Sequence, residues 1–217
     1  METLKEKLMI DSLLNENSLD SGKLQKLANT LMKGYCIYNG AYHYRPIEIE
    51  FYIYDKYQHP DRHVYPRDNK SAKDLFFHYS GMDICFKSSL ENDRFGGILI
   101  RALERNEDKQ LFGGPLVCVN EVLNNAIIKC VVKKIDEQEE EAEEYGRRVG
   151  INEFENLIDS EKKSIKDIFY NMPYRFVRKD MQNRTLEREN VSYDFKNQTK
   201  PDPDKSKRKY KIERYKP

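Results

Sequence analysis

The sequence predicts an α+β fold with a mostly antiparallel sheet. Three observations carry this expectation. Helical spacing of apolar residues marks the start of the chain and a short central stretch. Between and after these lie several runs with the two-residue alternation of half-buried strands. Aromatic residues are 12% of the 217 positions, fifteen Tyr and ten Phe, so a compact core is possible although charged residues reach 35%. The order helix, several strands, helix, strand and tail fits α+β better than a regular alternation. One domain over residues 1–180 is expected at this length, with residues 1–23 as a helical extension and residues 181–217 as a charged, partly basic tail.

Element by element, residues 1–33 read as helical, with a break near Asn15–Gly22. Leu24, Leu27, Ala28 and Leu31 recur at helical spacing, and Lys33-Gly34 ends the run. Gly34 to Asn39 is a strand candidate, and Asn39-Gly40 is a hairpin signal. The clearest strand is Pro46 to Tyr54. There Ile47, Ile49, Phe51 and Ile53 are expected on one face, with Glu48, Glu50, Tyr52 and Tyr54 on the other. Residues 55–74 read as a polar loop. Strands are expected at Leu75–Tyr79, Asp83–Ser88 and Gly97–Leu103, with Ser80-Gly81 as the turn between the first two. Gly113-Gly114-Pro115 opens a short helix to about Leu123, Pro115 taking the first-turn position. Ala126 to Ile135 reads as a strand, and residues 153–170 as a helix.

Composition excludes several classes. No apolar run approaches the roughly 18 residues of a membrane span. Abundant aromatic and β-branched residues argue against full disorder. Met1 to Asn15 mixes charge with its leucines and lacks the apolar stretch of a secretory leader, so a cytoplasmic setting is expected. Cys36, Cys85, Cys118 and Cys130 are widely spaced and form no Cys-x-x-Cys pair. They read as reduced thiols in or near the core, and no metal site is expected from them. Net charge is +1, so any basic surface must be local. Asp136 to Glu144 holds seven acidic residues in nine and reads as a solvated loop or helix start, whereas past Lys200 seven basic residues meet three acidic ones. Such a tail can grip phosphates.

Candidate chemistry gathers on the polar face of the 46–54 strand. Glu50 beside Tyr52 has the surroundings of a general base, a carboxylate among aromatics. The next loop holds His59 and His63, the following strand pair holds His78, and Arg101 ends an otherwise apolar strand. Strand ends and their loops are where sites tend to lie.

The wording and order of these segments resemble the alkyladenine (3-methyladenine) DNA glycosylase family of the mammalian type. The family's Leu-Ala-x-x-Leu-Leu-Gly-Lys is similar to Leu27-Ala28-Asn29-Thr30-Leu31-Met32-Lys33-Gly34. Its Glu-Thr-Glu-Ala-Tyr resembles Glu48-Ile49-Glu50-Phe51-Tyr52, and its Tyr-Gly-Met with a downstream Cys resembles Tyr79-Ser80-Gly81-Met82-Asp83-Ile84-Cys85. Leu-Leu-Arg-Ala-Leu-Glu-Pro is similar to Leu99-Ile100-Arg101-Ala102-Leu103-Glu104, and the Gly-Pro helix start to Gly114-Pro115. Arg-Val-Gly-Ile and Pro-Leu-Arg-Phe resemble Arg148-Val149-Gly150-Ile151 and Pro173-Tyr174-Arg175-Phe176. These pieces are collinear over about residues 24–178.

The resemblance implies a curved antiparallel sheet with flanking helices and a base-flipping hydrolase needing neither metal nor organic cofactor. Glu50 matches the carboxylate that activates water, and Arg101 the arginine that holds that carboxylate and water. Tyr52 matches the aromatic on one face of the flipped base, and Phe77 a tyrosine on the other face if the strands align without a gap. The family's loop histidine corresponds to His59 or His63, with His63, which follows Asp61 and lies near Pro66-Arg67, preferred. Either Ser80 replaces the wedge tyrosine, or Ser80 is inserted and Tyr79 is the wedge. Lys87 stands where the family gates purine identity with asparagine, and His78 and Asp83 have no family counterpart. The expected function is excision of a modified purine from duplex DNA, by a protein whose monomeric state is favoured. Two alternatives are carried with it: a non-catalytic nucleic-acid-binding protein on the same fold, and a hydrolase of free nucleosides or nucleotides.

Overall fold

In the computed structural model, which describes residues 3–15, 18–61, 63–67, 70–89, 93–137, 139–149, 169, 172–188 and 191–195, the N-terminal helical run is broken into pieces. Thr3 and Glu6 form a capping box that opens the single turn α1 (Leu4–Lys7). A second turn, α2 (Ile10–Leu13), leads into the small hairpin β1 (Leu14–Asn15) and β2 (Ser18–Leu19). The Asp20 carboxylate then accepts from the Lys23 N–H and starts α3 (Ser21–Gly34), which buries Leu24, Leu27, Ala28 and Leu31.

The chain continues as β3 (Tyr35–Tyr38), β4 (His43–Asp55), β5 (Leu75–His78), β6 (Gly81–Cys85), β7 (Arg94–Arg105) and β8 (Leu111–Gly113). Helix α4 (Pro115–Asn124) precedes β9 (Val131–Lys134), β10 (Ala142–Gly146), β11 (Arg175–Arg178), β12 (Thr185–Arg188) and β13 (Val191–Asp194). Nine strands form one curled antiparallel sheet in the order β10-β11-β4-β7-β6-β5, with β3 pairing β4 and β9, and β8 pairing β7. The fold is therefore α+β, as the sequence predicts.

Several segments differ from expectation. The acidic run is not wholly a loop, because β10 pairs with β11 and Ala142 is buried. The strand expected at Ala126–Ile135 is confined to Val131–Lys134. Thr185–Arg188 and Val191–Asp194, expected as tail, pair as the antiparallel strands β12 and β13, and Phe195 beyond them is buried. The polar loop after β4 is partly interior, with His59, Asp61, Val64 and Arg67 buried. The expected helix at 153–170 and the basic tail lie outside the described residues, Phe169 apart.

The two sheet faces have different characters. One carries the main core, where Ile49, Phe51, Ile53, Met82, Ile84, Ile98 and Ile100 pack with the buried sides of α3 and α4. The other is polar, with a small apolar cluster of Ile47, Ala102, Val177, Met181 and Phe195 at one end. Ile47 thus leaves the face expected from its spacing. The β4–β7 register explains it: Pro46 pairs with Leu103 but Glu48 with Ala102, and Ile49 with Ile100. Ile47 on β4 and Arg101 on β7 are each an extra residue. A bulge of this kind resets the two-residue phase, so Ile47 and Glu48 both belong to the polar side.

Cys36, Cys85 and Cys118 are buried, Cys130 is half-buried, and none of the four is in a disulfide. Burial pushes the Cys36 and Cys85 thiols up to about 12, which keeps them protonated and unreactive at neutral pH. Among the described residues no helix is long and apolar enough to cross a membrane.

Candidate active site

A single rung crosses five strands on the polar face. Arg175 pairs with Glu50, Glu50 with Leu99, Leu99 with Asp83, and Asp83 with Phe76. Register partners in neighbouring strands project to the same side, so these five side chains share one face. Tyr52 and Gly97 form part of the next rung on that face.

Glu50 is wholly buried. Its Oε1 accepts from the Val149 N–H at 2.6 Å and lies 3.3 Å from Arg101 Nη1. Its Oε2 accepts from the Tyr52 hydroxyl at 3.0 Å. Burial pushes the Glu50 carboxyl above its ordinary value, against the pull of Arg101. Tyr52 is likewise pushed up, by burial first and by the Glu50 charge second. Arg101 Nη1 also donates to the Val149 carbonyl at 3.4 Å. Carboxylate, guanidinium and one backbone carbonyl thus converge, a set able to orient a water and accept its proton.

A second carboxylate flanks the first. Glu48, also wholly buried, accepts from Arg101 Nε at 2.9 Å, Arg175 Nε at 2.7 Å and the Tyr193 hydroxyl at 2.6 Å. Arg148 completes the cluster. Its guanidinium lies 4.6 Å from the Tyr52 ring centroid and 5.3 Å from that of Tyr174. It pairs with buried Asp61 at 2.7 Å. One ring face of Tyr52 is therefore occupied by a cation.

The loop histidines part company. His59 is buried, its Nδ1–H donating to the Ile53 carbonyl at 2.7 Å while Nε2 receives the Tyr174 hydroxyl at 2.8 Å. Both ring nitrogens are engaged and burial lowers the imidazole's proton affinity, so His59 is a neutral strut that orients Tyr174. His63 is half-buried and uses its backbone N–H to cap the Asp61 carboxylate at 2.9 Å.

At the far end of the rung, Asp83 is buried and ion-paired with buried Arg67. His78 Nε2 faces Asp83 Oδ1 at 3.4 Å, and His78 Nδ1 receives the Ser80 hydroxyl at 2.8 Å. The His78 and Phe76 rings stack at 5.6 Å, with the Arg67 guanidinium 5.3 Å from the centroid of Phe76. Phe77 is placed otherwise than the ungapped alignment requires. It pairs with core-facing Met82 and stands on the opposite side of the sheet from Glu50, 38% exposed. Phe76 holds the position expected of Phe77, because strand side chains alternate. Tyr79 is 78% exposed at the hairpin tip, where its hydroxyl meets that of Tyr65. Lys87 lies beyond the end of β6, exposed, its backbone N–H donating to the Leu8 carbonyl at 3.0 Å.

The structure thus brings Glu50, Arg101 and Tyr52 together, with Glu48 on their face as its spacing predicts, and adds Val149, Arg148, Phe76 and Tyr193, which the sequence does not mark as site residues. For Val149 a signal existed in the Arg148-Val149 motif; its contribution is backbone, which side-chain chemistry does not advertise. Among the described residues no cluster of His, Cys, Asp and Glu is arranged to hold a metal ion. The chain matches no protein-family model and no curated protein sequence.

Proposed function

We propose that this protein hydrolyses the N-glycosidic bond of a modified purine in DNA, leaving an abasic site. The observation that carries the reading is the convergence of Glu50, Arg101, Tyr52 and the Val149 backbone on one sheet face. In the proposed reaction a water attacks the anomeric carbon and gives its proton to Glu50. The carbon–nitrogen bond breaks and its electron pair leaves with the base. A carboxyl raised by burial is a better proton acceptor once ionised than an exposed one. Arg101 holds the Glu50 carboxylate and the water in place, and the flipped base rests against the aromatic side chains of the polar face. Phe76 rather than Phe77 is the second aromatic of the clamp. Its place supports the alignment in which Ser80 is inserted and exposed Tyr79 is the wedge that fills the vacated stack.

The experiment is a panel of duplex oligonucleotides carrying hypoxanthine, ethenoadenine, 3-methyladenine or 7-methylguanine, followed by cleavage of abasic sites. Strand breaks that disappear in Glu50→Gln are the expected result. The enclosure of Glu50, with both oxygens engaged, favours as second reading a nucleic-acid-binding protein without hydrolysis. Salt-dependent DNA binding with no base released from any member of the panel would establish that reading instead, and turnover of free nucleosides alone would replace both.

A further inference from the structure

We propose that Glu48 is a positioning residue: held by Arg175 and Tyr193, it draws the Arg101 guanidinium toward itself and keeps it from closing on Glu50. The inference deepens, and rests on, the reading of Glu50 as the general base. The distances set out the competition. Arg101 Nε lies 2.9 Å from Glu48 Oε1, whereas Arg101 Nη1 stands 3.3 Å from Glu50 Oε1. Glu48 is itself anchored from two further elements, by Arg175 on β11 at 2.7 Å and Tyr193 on β13 at 2.6 Å.

The strands are bulged beside these three groups. The β4–β7 register skips Ile47 and Arg101. Without the bulges, strict alternation would keep Ile47 on the face of Ile49. With them, Ile47 joins Glu48, Glu50 and Arg101 on the polar side. A core of this size has no need of two adjacent buried carboxylates, because their desolvation is costly.

The chemical consequence concerns basicity. An arginine closed in a two-pronged pair on Glu50 would stabilise the carboxylate and make it a poor proton acceptor. Shared with Glu48, Arg101 stands 3.3 Å from Glu50 at its nearest atom. Among the described residues, the groups facing Glu50 are Glu48 and Tyr52 on its own strand, Arg101 on β7, Arg175 across β11, and Arg148 with the Val149 N–H from the segment after β10. Of these, Glu48 is the one whose negative charge acts with burial to raise the Glu50 carboxyl.

The test is Glu48→Gln, which keeps shape and an acceptor for Tyr193 but removes the charge. Carbon-13 NMR of labelled glutamate side chains follows the titration of Glu50, assigned by its loss in Glu50→Gln. The midpoint is expected to move to lower pH by about one unit, a tenfold change in the protonation equilibrium. The acidic limb of base release should move the same way, with kcat at neutral pH reduced and KM unchanged. Glu48→Asp, which withdraws the carboxylate from Arg101 but keeps its charge, provides a smaller shift in the same downward direction should Glu48→Gln not fold. A Glu50 midpoint that stays in place in the folded variant would overturn the proposal. If the unaltered protein releases no base, the general-base reading fails, while the NMR midpoint still decides the positioning.

Discussion

Tyr193 donates its hydroxyl to Glu48 Oε2 at 2.6 Å, joining residues 145 positions apart. The contact makes the β12–β13 hairpin a wall of the polar site. Its ring lies against Gly113, where a Cβ would overlap it, so glycine at that position is what lets the hairpin close. Burial first, and the Glu48 charge second, push the Tyr193 phenol well above its ordinary range, so it remains a hydrogen-bond donor at neutral pH.

Tyr193→Phe should therefore leave one Glu48 oxygen without its donor in a buried setting. The cost expected is about 1–3 kcal/mol, read as a lower urea midpoint at unchanged slope. Gly113→Ala should lower the midpoint as well, by displacing the Tyr193 ring. A midpoint unchanged in both variants would mean that the hairpin does not close on the sheet in solution.

Arg101→Ala removes the cation between two buried carboxylates. Loss of one partner from a buried ionic cluster costs about 3–5 kcal/mol. Arg101→Lys restores charge but not the fork that reaches both Glu48 and Glu50, so recovery should be partial. Denaturant unfolding of the two variants side by side checks the order.

Stability should fall on the acid side through His59. Burial holds its proton affinity below the ordinary 6.5, so the unfolded chain takes up a proton that the native one refuses. Stability then decreases as pH drops below about 6.5 and levels off once the folded value is passed. Glu50 works in the opposite sense. Its raised carboxyl lends stability at low pH that is lost as pH climbs from 4.5 through the folded value. His59→Gln should flatten the first slope and leave the second, which thermal melts across pH 4 to 8, a range of roughly the relevant titrations, would resolve.

The two neighbouring phenylalanines should separate cleanly. Phe76→Leu removes a stacking surface on the Glu50 face, worth about 1–3 kcal/mol per base. That corresponds to roughly 5- to 150-fold weaker binding of damaged oligonucleotide by anisotropy. Phe77→Leu, on the other face, should stay within about twofold, since surface changes away from a site cost little. Equal effects would remove Phe76 from the clamp.

Local chemistry was enough to read much of this molecule. The 3.6-residue spacing of Leu24, Leu27, Ala28 and Leu31 and the alternation of residues 49–54 are written one residue at a time, and both elements form. The same alternation put Glu50 and Tyr52 on one face, and the strand-end position of Arg101 marked it for attention. The tertiary structure decided the rest, because it depended on pairings between distant segments. The paired bulges at Ile47 and Arg101 arise only when β4 and β7 lie together, and they turn Ile47 to the polar side beside Glu48 and Arg101. The turn at Tyr79-Ser80 sets the parity that chooses Phe76 over Phe77. Tyr193 reaches Glu48 because a segment that reads as polar tail finds Phe195 a place in a small apolar cluster. Periodicity specifies which side chains share a face within a strand; which strands share a rung, and so which charges meet, follows from register and burial across the whole sheet.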